Sequence, residues 1–286
     1  MGRKTKMATW KGPAEPEFLP LTMIEKIRLV ARGLFMAAMM VVLMVLFWLC
    51  RLLEWPFGTR IASNGVIWVA CVSSCKIMGL KVETEGQPMS QGGARVCNHS
   101  SYIDIFVIRA ASQIFYVAKA EVRGWPVLGF IADQTGTMFI ERKRTEAKRQ
   151  EGMFAERLHK GDRLCFFPEG TSSDGLRVLP FKSTLFSAFM SDALKDEMWV
   201  QPVTVFYEAG EGLRRDFYGW WGDIDFGPHL AQILSRSVGS RAKVVFHEPV
   251  RARDFANRKL LAAHCEEQVR SAHDREIARL GIDQSY

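Results

Sequence analysis

The run GLFMAAMMVVLMVLFWLC, from Gly33 to Cys50, carries no charge and no proline. A bilayer core about 30 Å thick takes ~20 apolar residues as a helix, with ~17 near the lower limit. A surface helix of a soluble domain keeps a polar face, and this run has none. It therefore predicts an N-terminal membrane-inserted helical segment. A cleaved signal fits less well, because the run starts late, exceeds the usual apolar core of ~7–15 residues, and is followed by Arg51 in place of a small residue. A second stretch, NGVIWVACVSSC at 64–75, is shorter and contains serines, which suits a re-entrant or interfacial helix. Between the two, Glu54, Trp55, Pro56, Phe57 and Gly58 predict a turn with aromatic interface anchors.

Charge supports the same picture. The net charge is +7, with Lys26, Arg28 and Arg32 before the apolar run and Arg51 and Arg60 after it. Each cation near an anionic membrane surface contributes about 1 kcal/mol. No zinc-finger or homeodomain pattern directs the charge to nucleic acid, so the bilayer is the expected partner. Basic residues ahead of Gly33 favour a cytoplasmic N-terminus. Six cysteines occur, and Cys71 and Cys75 lie one helical turn apart, but no histidine or second Cys pair completes a metal set; no metal is expected. Residues up to about 20, with Lys, Pro and Glu, predict a loose tail. The expected organisation is a basic tail and lead-in at 1–32, membrane-anchoring helices at 33–80 and a catalytic domain at 81–286.

After Gly79 the pattern becomes short apolar runs alternating with amphipathic ones. KVETEG, ARVCN, QIFYVAK, TMFIER, RLCFF and VQPVTVFY predict strands. SYIDIFVIRAA predicts a helix capped by the hydroxyl of Ser100 or Ser101, and a charged helix spans Arg144 to His159. Such alternation indicates an α/β fold, a mixed sheet flanked by helices. In these folds sites form in loops at strand ends. Asn98, His99, Lys119, Arg142 and Glu169 all fall there, from four separate strands.

NHSSYID places His99 and Asp104 five positions apart. The pair admits two readings. In one, Asp104 only complements a helix dipole. In the other, its carboxylate reaches back to one ring nitrogen, fixes the tautomer, and leaves the other nitrogen as a general base. The motifs AKAEVRGWPVLG at 118–129, GTMFIERKR at 136–144, FPEGTSSDG at 167–175 and QPVTV at 201–205 follow in order.

With these motifs the chain resembles the PlsC-type glycerolipid acyltransferases, the lysophosphatidic acid acyltransferase family, whose His-x4-Asp block is similar to NHSSYID. The resemblance covers about residues 80–210 and implies a glycerolphosphate acyltransferase-like fold. It implies that His99 is the general base and Asp104 its orienter. The acceptor hydroxyl would attack an acyl thioester directly, carried by acyl carrier protein or CoA, with no other cofactor. Lys119, Gly136, Arg142, Glu169, Gly170 and Thr171 match acceptor-binding positions. A thioester donor would place the catalytic domain on the cytoplasmic side of the inner membrane.

One departure bears on the acceptor. The family's third block usually ends Gly-Thr-Arg-Ser, whereas Ser172 stands in the Arg place here. Serine cannot replace a bidentate phosphate ligand. That change, with FYGWWGDIDFGPHL at 217–230, makes the chain similar to the lyso-ornithine lipid acyltransferase branch, which acylates the hydroxyl of an amide-linked 3-hydroxy fatty acid. The expected acceptor is a lyso-aminolipid, with lysophosphatidic acid as the alternative. The cluster Phe217, Tyr218, Trp220 and Trp221 fits an interfacial anchor, core or a head-group pocket. A membrane-anchored lipid-binding protein would be the non-enzyme reading; His99, Asp104 and Glu169, all present, argue against it. No G-x-S-x-G elbow suggests a serine hydrolase.

Overall fold

The computed structural model describes residues 10–125, 128–141 and 147–282. Helix α1 runs from Met23 to Glu54, 32 residues and so ~48 Å long. Thr22 and Glu25 cap its start reciprocally, each side chain accepting from the other's backbone N–H. The helix is continuous through Arg32, so the expected boundary at 32/33 falls inside it. Only 6% of its most apolar stretch is buried against the rest of the chain, and Leu34, Phe35, Val41 and Val42 are exposed. It is long and apolar enough to cross a membrane.

Gly58, in the left-handed region at φ 64°, reverses the chain after a short 3-10 turn at Trp55–Phe57. Helix α2, Ile61–Ile77, then folds back against α1. Glu54, at the end of α1, accepts from the Ala62 and Ser63 amides and so caps α2. The stretch at 64–75 buries Cys71, Ser74 and Cys75 inward while Trp68 and Val69 stay exposed. It is a helix docked on the domain. Trp55 and Phe57, expected as interface anchors, are 77% and 78% exposed.

The strands are β1 (Leu80–Glu85), β2 (Gly93–Cys97), β3 (Phe115–Lys119), β4 (Met138–Ile140), β5 (Arg163–Phe166), β6 (Trp199–Glu208), β7 (Ser240–Phe246) and β8 (Val250–Arg251). They form one sheet in the order β1-β7-β6-β2-β5-β3-β4, with β8 beside β6. Strands β2 to β6 are mutually parallel, β7 and β8 run antiparallel to β6, and β1 is parallel to β7. The mixed sheet is as the sequence predicts.

Side chains alternate across the sheet and feed two cores. On one face Ala94, Val96, Leu164 and Phe166 pack with α5 (Ala147–His159), α7 (Arg258–Arg279) and the phenylalanines of 181–189. On the other, Cys97, Cys165, Val203 and Val205 pack with α2, α3 (Asp104–Ala111) and α6 (Phe226–Arg236). A fourth, shorter helix on the chain, Leu128–Gln134, is α4.

Two expectations change here. Arg28 and Arg32 do not wait for lipid head groups: Arg28 donates to the Ser235 carbonyl at 2.8 Å, and Arg32 to those of Leu234 and Ser237 at 3.2 and 2.8 Å. They satisfy the orphan carbonyls at the C-terminus of α6, where the helix dipole favours cations. The tail is not loose between Trp10 and Thr22. The Trp10 amide donates to Thr171 Oγ1 at 3.2 Å, the Trp221 indole donates to the Pro13 carbonyl at 3.1 Å, and the Phe18 ring lies against His229. Composition weighed its Lys, Pro and Glu but not these two isolated aromatics.

Candidate active site

Strands β2, β5 and β3 lie side by side and end at the same edge of the sheet. Asn98 continues β2 by exchanging two side-chain hydrogen bonds with the Val205 backbone, both 2.8 Å. His99 follows at the point where the strand stops. Its backbone is held on both sides by the 167–173 loop: its N–H donates to Glu169 Oε1 at 3.2 Å, and its carbonyl accepts from the Ser173 amide at 2.9 Å. Gly170, at φ 73°, makes the turn that lets this loop fold back.

The His99 ring meets Asp104 through Nδ1, 2.7 Å from Oδ2. That oxygen also accepts from the Ser100 and Ser101 amides at 2.8 and 3.1 Å, while Oδ1 accepts from the Tyr207 hydroxyl at 2.6 Å. Burial and the Asp104 charge push the Tyr207 hydroxyl far above its ordinary pKa, so it stays a donor. A carboxylate surrounded by four donors acts only as acceptor, which assigns the proton to Nδ1 and leaves Nε2 with a lone pair. Nε2 has no partner among the described residues, and the side chain is 21% exposed. Phe167 stacks on the ring at 4.0 Å and 14°, and Tyr116 stacks beyond it. The ring is fixed from its edge and its face.

The expected serine caps are met only in part: the Ser101 hydroxyl accepts from the Ile103 amide at 3.4 Å, and the Ser100 hydroxyl has no partner among the described residues. Helix α3 starts at Asp104, not at Ser100 or Ser101, and its first residue draws the serine amides to itself.

The other expected site residues separate into groups. Lys119 ends β3 at the same sheet edge and is half-buried. Thr171 lies beneath the Trp10 amide. Arg142 lies outside the described residues. Glu169 points inward, 1% exposed, so its carboxyl reaches His99 and not an open cleft; burial holds it well above the ordinary carboxylate range. Gly136 is not brought to this edge. It precedes β4 at the opposite end of the parallel strands, where its carbonyl accepts from Arg157 and it abuts Phe115. Ser172 is 9% exposed and its hydroxyl donates to the Trp220 carbonyl. Tyr218 and Trp221 are core residues, whereas Trp220 packs edge-on against Tyr102 and Trp125.

Sequence reasoning missed Tyr207 and Phe167. Tyr207 stands 103 residues from Asp104 on β6, and only the pairing of β6 with β2 brings them together. Phe167 sits inside FPEGT, where its aromatic character was the available signal.

Residues 80–205 match the family model described as Acyltransferase. The chain is 44% identical over 264 residues to the lyso-ornithine lipid O-acyltransferase of Rhodobacter capsulatus, covering 92% of this chain and 96% of that protein. It is 39% identical over 207 residues to the protein of the same name from Brucella abortus, covering 68% and 77%. It is 31% identical over 248 residues to the 1-acyl-sn-glycerol-3-phosphate acyltransferase of Neisseria gonorrhoeae, covering 80% and 94%. Its fold is similar to the crystal structure of the 1-acyl-sn-glycerophosphate acyltransferase PlsC from Thermotoga maritima, with a TM-score of 0.60 at 22% identity over 92% of this chain and all of that one. On this identity and coverage, the chain belongs to the PlsC-type acyltransferase family and is an acyltransferase enzyme.

Proposed function

We propose that the protein transfers a fatty acyl group from an acyl thioester to the hydroxyl of a lyso-aminolipid such as lyso-ornithine lipid, with His99 as general base. The observation that carries this reading is the His99 ring tethered at Nδ1 by Asp104 with Nε2 open. Nε2 takes the proton of the acceptor hydroxyl, and the oxygen attacks the thioester carbonyl. The tetrahedral intermediate collapses, the C–S bond breaks, and the thiolate leaves with the proton returned by the imidazolium. No protein acyl intermediate forms. Asp104 and Glu169 position the base, and Lys119, Gly170 and Thr171 are assigned to the acceptor head group, with Arg142 as a further cation by the family motif alone.

The acceptor assignment rests on the relatives named for lyso-ornithine lipid and on Ser172. Its hydroxyl is turned to Trp220, so this position offers the acceptor no cation. The Neisseria relative supports a second reading, acylation of 1-acyl-sn-glycerol 3-phosphate. Acyl carrier protein or CoA carries the donor, and the exposed apolar surface of α1 holds the enzyme at the inner membrane with its cleft on the cytoplasmic side.

The test is purified full-length protein in detergent with one acyl-carrier donor, and lyso-ornithine lipid competed against lysophosphatidic acid. The expected result is preferential acylation of the aminolipid and a ~100- to 10,000-fold loss in His99→Ala. Normal turnover in folded His99→Ala sinks the mechanism, and exclusive use of lysophosphatidic acid sinks the acceptor assignment.

A further inference from the structure

At the sheet edge opposite His99 a cavity of about 910 Å³ opens between the α1–α2 turn and the starts of β3 and β5. Six cations line it, Arg51, Arg60, Arg109, Arg157, Lys160 and Arg163, against two carboxylates, Glu54 and Asp162. Both carboxylates are already engaged. Glu54 caps α2, and Asp162 pairs with Arg157. Among the described residues, Arg60, Arg109 and Arg163 form no close ion pair; Asp162 and Glu54 act on Arg60, and Asp162 on Arg109, only at longer range.

Three guanidiniums crowd one aromatic ring. The Arg157, Arg109 and Arg60 centres lie 4.7, 5.3 and 5.8 Å from the centroid of Phe115. The ring offsets part of that charge but cannot neutralise it. Arg109 is 4% exposed, donates through Nη2 to Asn64 Oδ1 at 2.9 Å, and keeps Nε without a partner. Arg163 donates to the Ser90 carbonyl and likewise leaves its Nε unpaired. Burial followed by repulsion from Arg51 lowers the Arg60 pKa, the condition an added anion would relieve. A buried unpaired donor is costly, so an anion supplying several acceptor oxygens fits both deficits.

We propose that this cavity binds the phosphate group of an anionic phospholipid through Arg60, Arg109 and Arg163, as a site separate from the acyl-transfer cleft. A lipid phosphate is favoured over free phosphate by the rim. Trp55 and Trp68 line the opening and are 77% and 49% exposed, and Phe57 and Ile61 extend the apolar surface of α1 past it. Aromatic residues of this kind sit at the head-group level of a bilayer, which puts the cations where lipid phosphates lie.

The experiment is a thermal-shift titration of the full chain in a zwitterionic detergent. The probes are short-chain phosphatidylglycerol, phosphatidylcholine of the same chain length, and inorganic phosphate. Phosphatidylglycerol is expected to raise Tm saturably, by linkage to the folded state, with a much smaller effect of phosphatidylcholine. Arg60→Gln with Arg163→Gln, both at less buried positions, should weaken the apparent affinity by about tenfold or more. Arg109→Gln should do the same if it folds; the double variant keeps the test decisive if it does not. Equal shifts by the two lipids, or an unchanged titration in the folded double variant, overturn the proposal. A saturable shift by inorganic phosphate with none by phosphatidylglycerol overturns the lipid assignment.

Discussion

Glu169 offers the sharpest test of how the base is held. Its carboxyl is 1% exposed and accepts the His99 N–H at 3.2 Å, so it touches the backbone of the proposed base and not its ring. Burial keeps its pKa well above the ordinary 4.5, favouring the neutral acid. Glu169→Gln retains an acceptor oxygen of the same shape, whereas Glu169→Ala leaves the buried N–H unpaired at a cost of ~1–3 kcal/mol. If that cost falls on the placement of the ring, kcat/KM drops roughly 5- to 150-fold in Glu169→Ala. Glu169→Gln should remain within a few-fold of wild type. Unfolding carries a second signature. A carboxyl whose folded pKa is raised contributes stability that is complete below 4.5 and lost as pH rises through the folded value. Glu169→Gln cannot ionise and should remove that part of the decline above 4.5. Thermal unfolding across pH, with kcat/KM measured on the same preparations, reads both. A folded Glu169→Gln as impaired as Glu169→Ala would refute the reasoning, because the charge would then be essential.

Tyr207→Phe deletes one of the four donors to Asp104, and a bond of this charge-assisted kind contributes ~1.5–3 kcal/mol. Activity should fall by roughly tenfold or more in a folded protein, and unchanged kcat would exclude the hydroxyl from the device. Mass spectrometry after incubation with the thioester donor alone should find no acylated protein. The nearest thiols favour this outcome, since burial pushes Cys165 up to about 12 and Cys97 well above its ordinary value; a stoichiometric adduct that chases into product would refute direct transfer. Ser172→Arg cannot keep the serine's inward bond to Trp220, so its guanidinium should turn to the cleft. The acceptor ratio should then shift by about tenfold or more toward lysophosphatidic acid, and an unchanged ratio in an active variant counts against the acceptor assignment.

The strand-helix alternation, the apolar helix and the His99–Asp104 contact were legible because each is written in local spacing. Long-range geometry was not. Tyr207 completes the Asp104 shell through sheet pairing, and nothing in VQPVTVFY distinguishes it from a core tyrosine. Gly136 belongs to an expected acceptor motif, yet it lies ahead of β4, away from His99, and a linear motif does not say which end of a strand a residue joins. Ser100 and Ser101 had the right residue type for caps, but the helix starts later, at Asp104, so only the Ser101 hydroxyl meets an amide, that of Ile103. Arg28 and Arg32 read as membrane cations because the C-terminus of α6, which they complete, lies some two hundred residues away.

That separation has a consequence for how the chain comes into being. The segment from Trp10 to Arg32 meets its partners across 161 residues at Thr171, 208 at Trp221 and 207 at Ser235. Translation at about 5–20 residues per second leaves it without those partners for roughly ten to forty seconds. During that interval α1 has already emerged, and no α6 exists for its arginines to complete. Its apolar side chains are then without the contacts that α2 and α6 later supply. The long apolar helix is thus made before the sheet that carries the site, and the site waits for the last third of the chain.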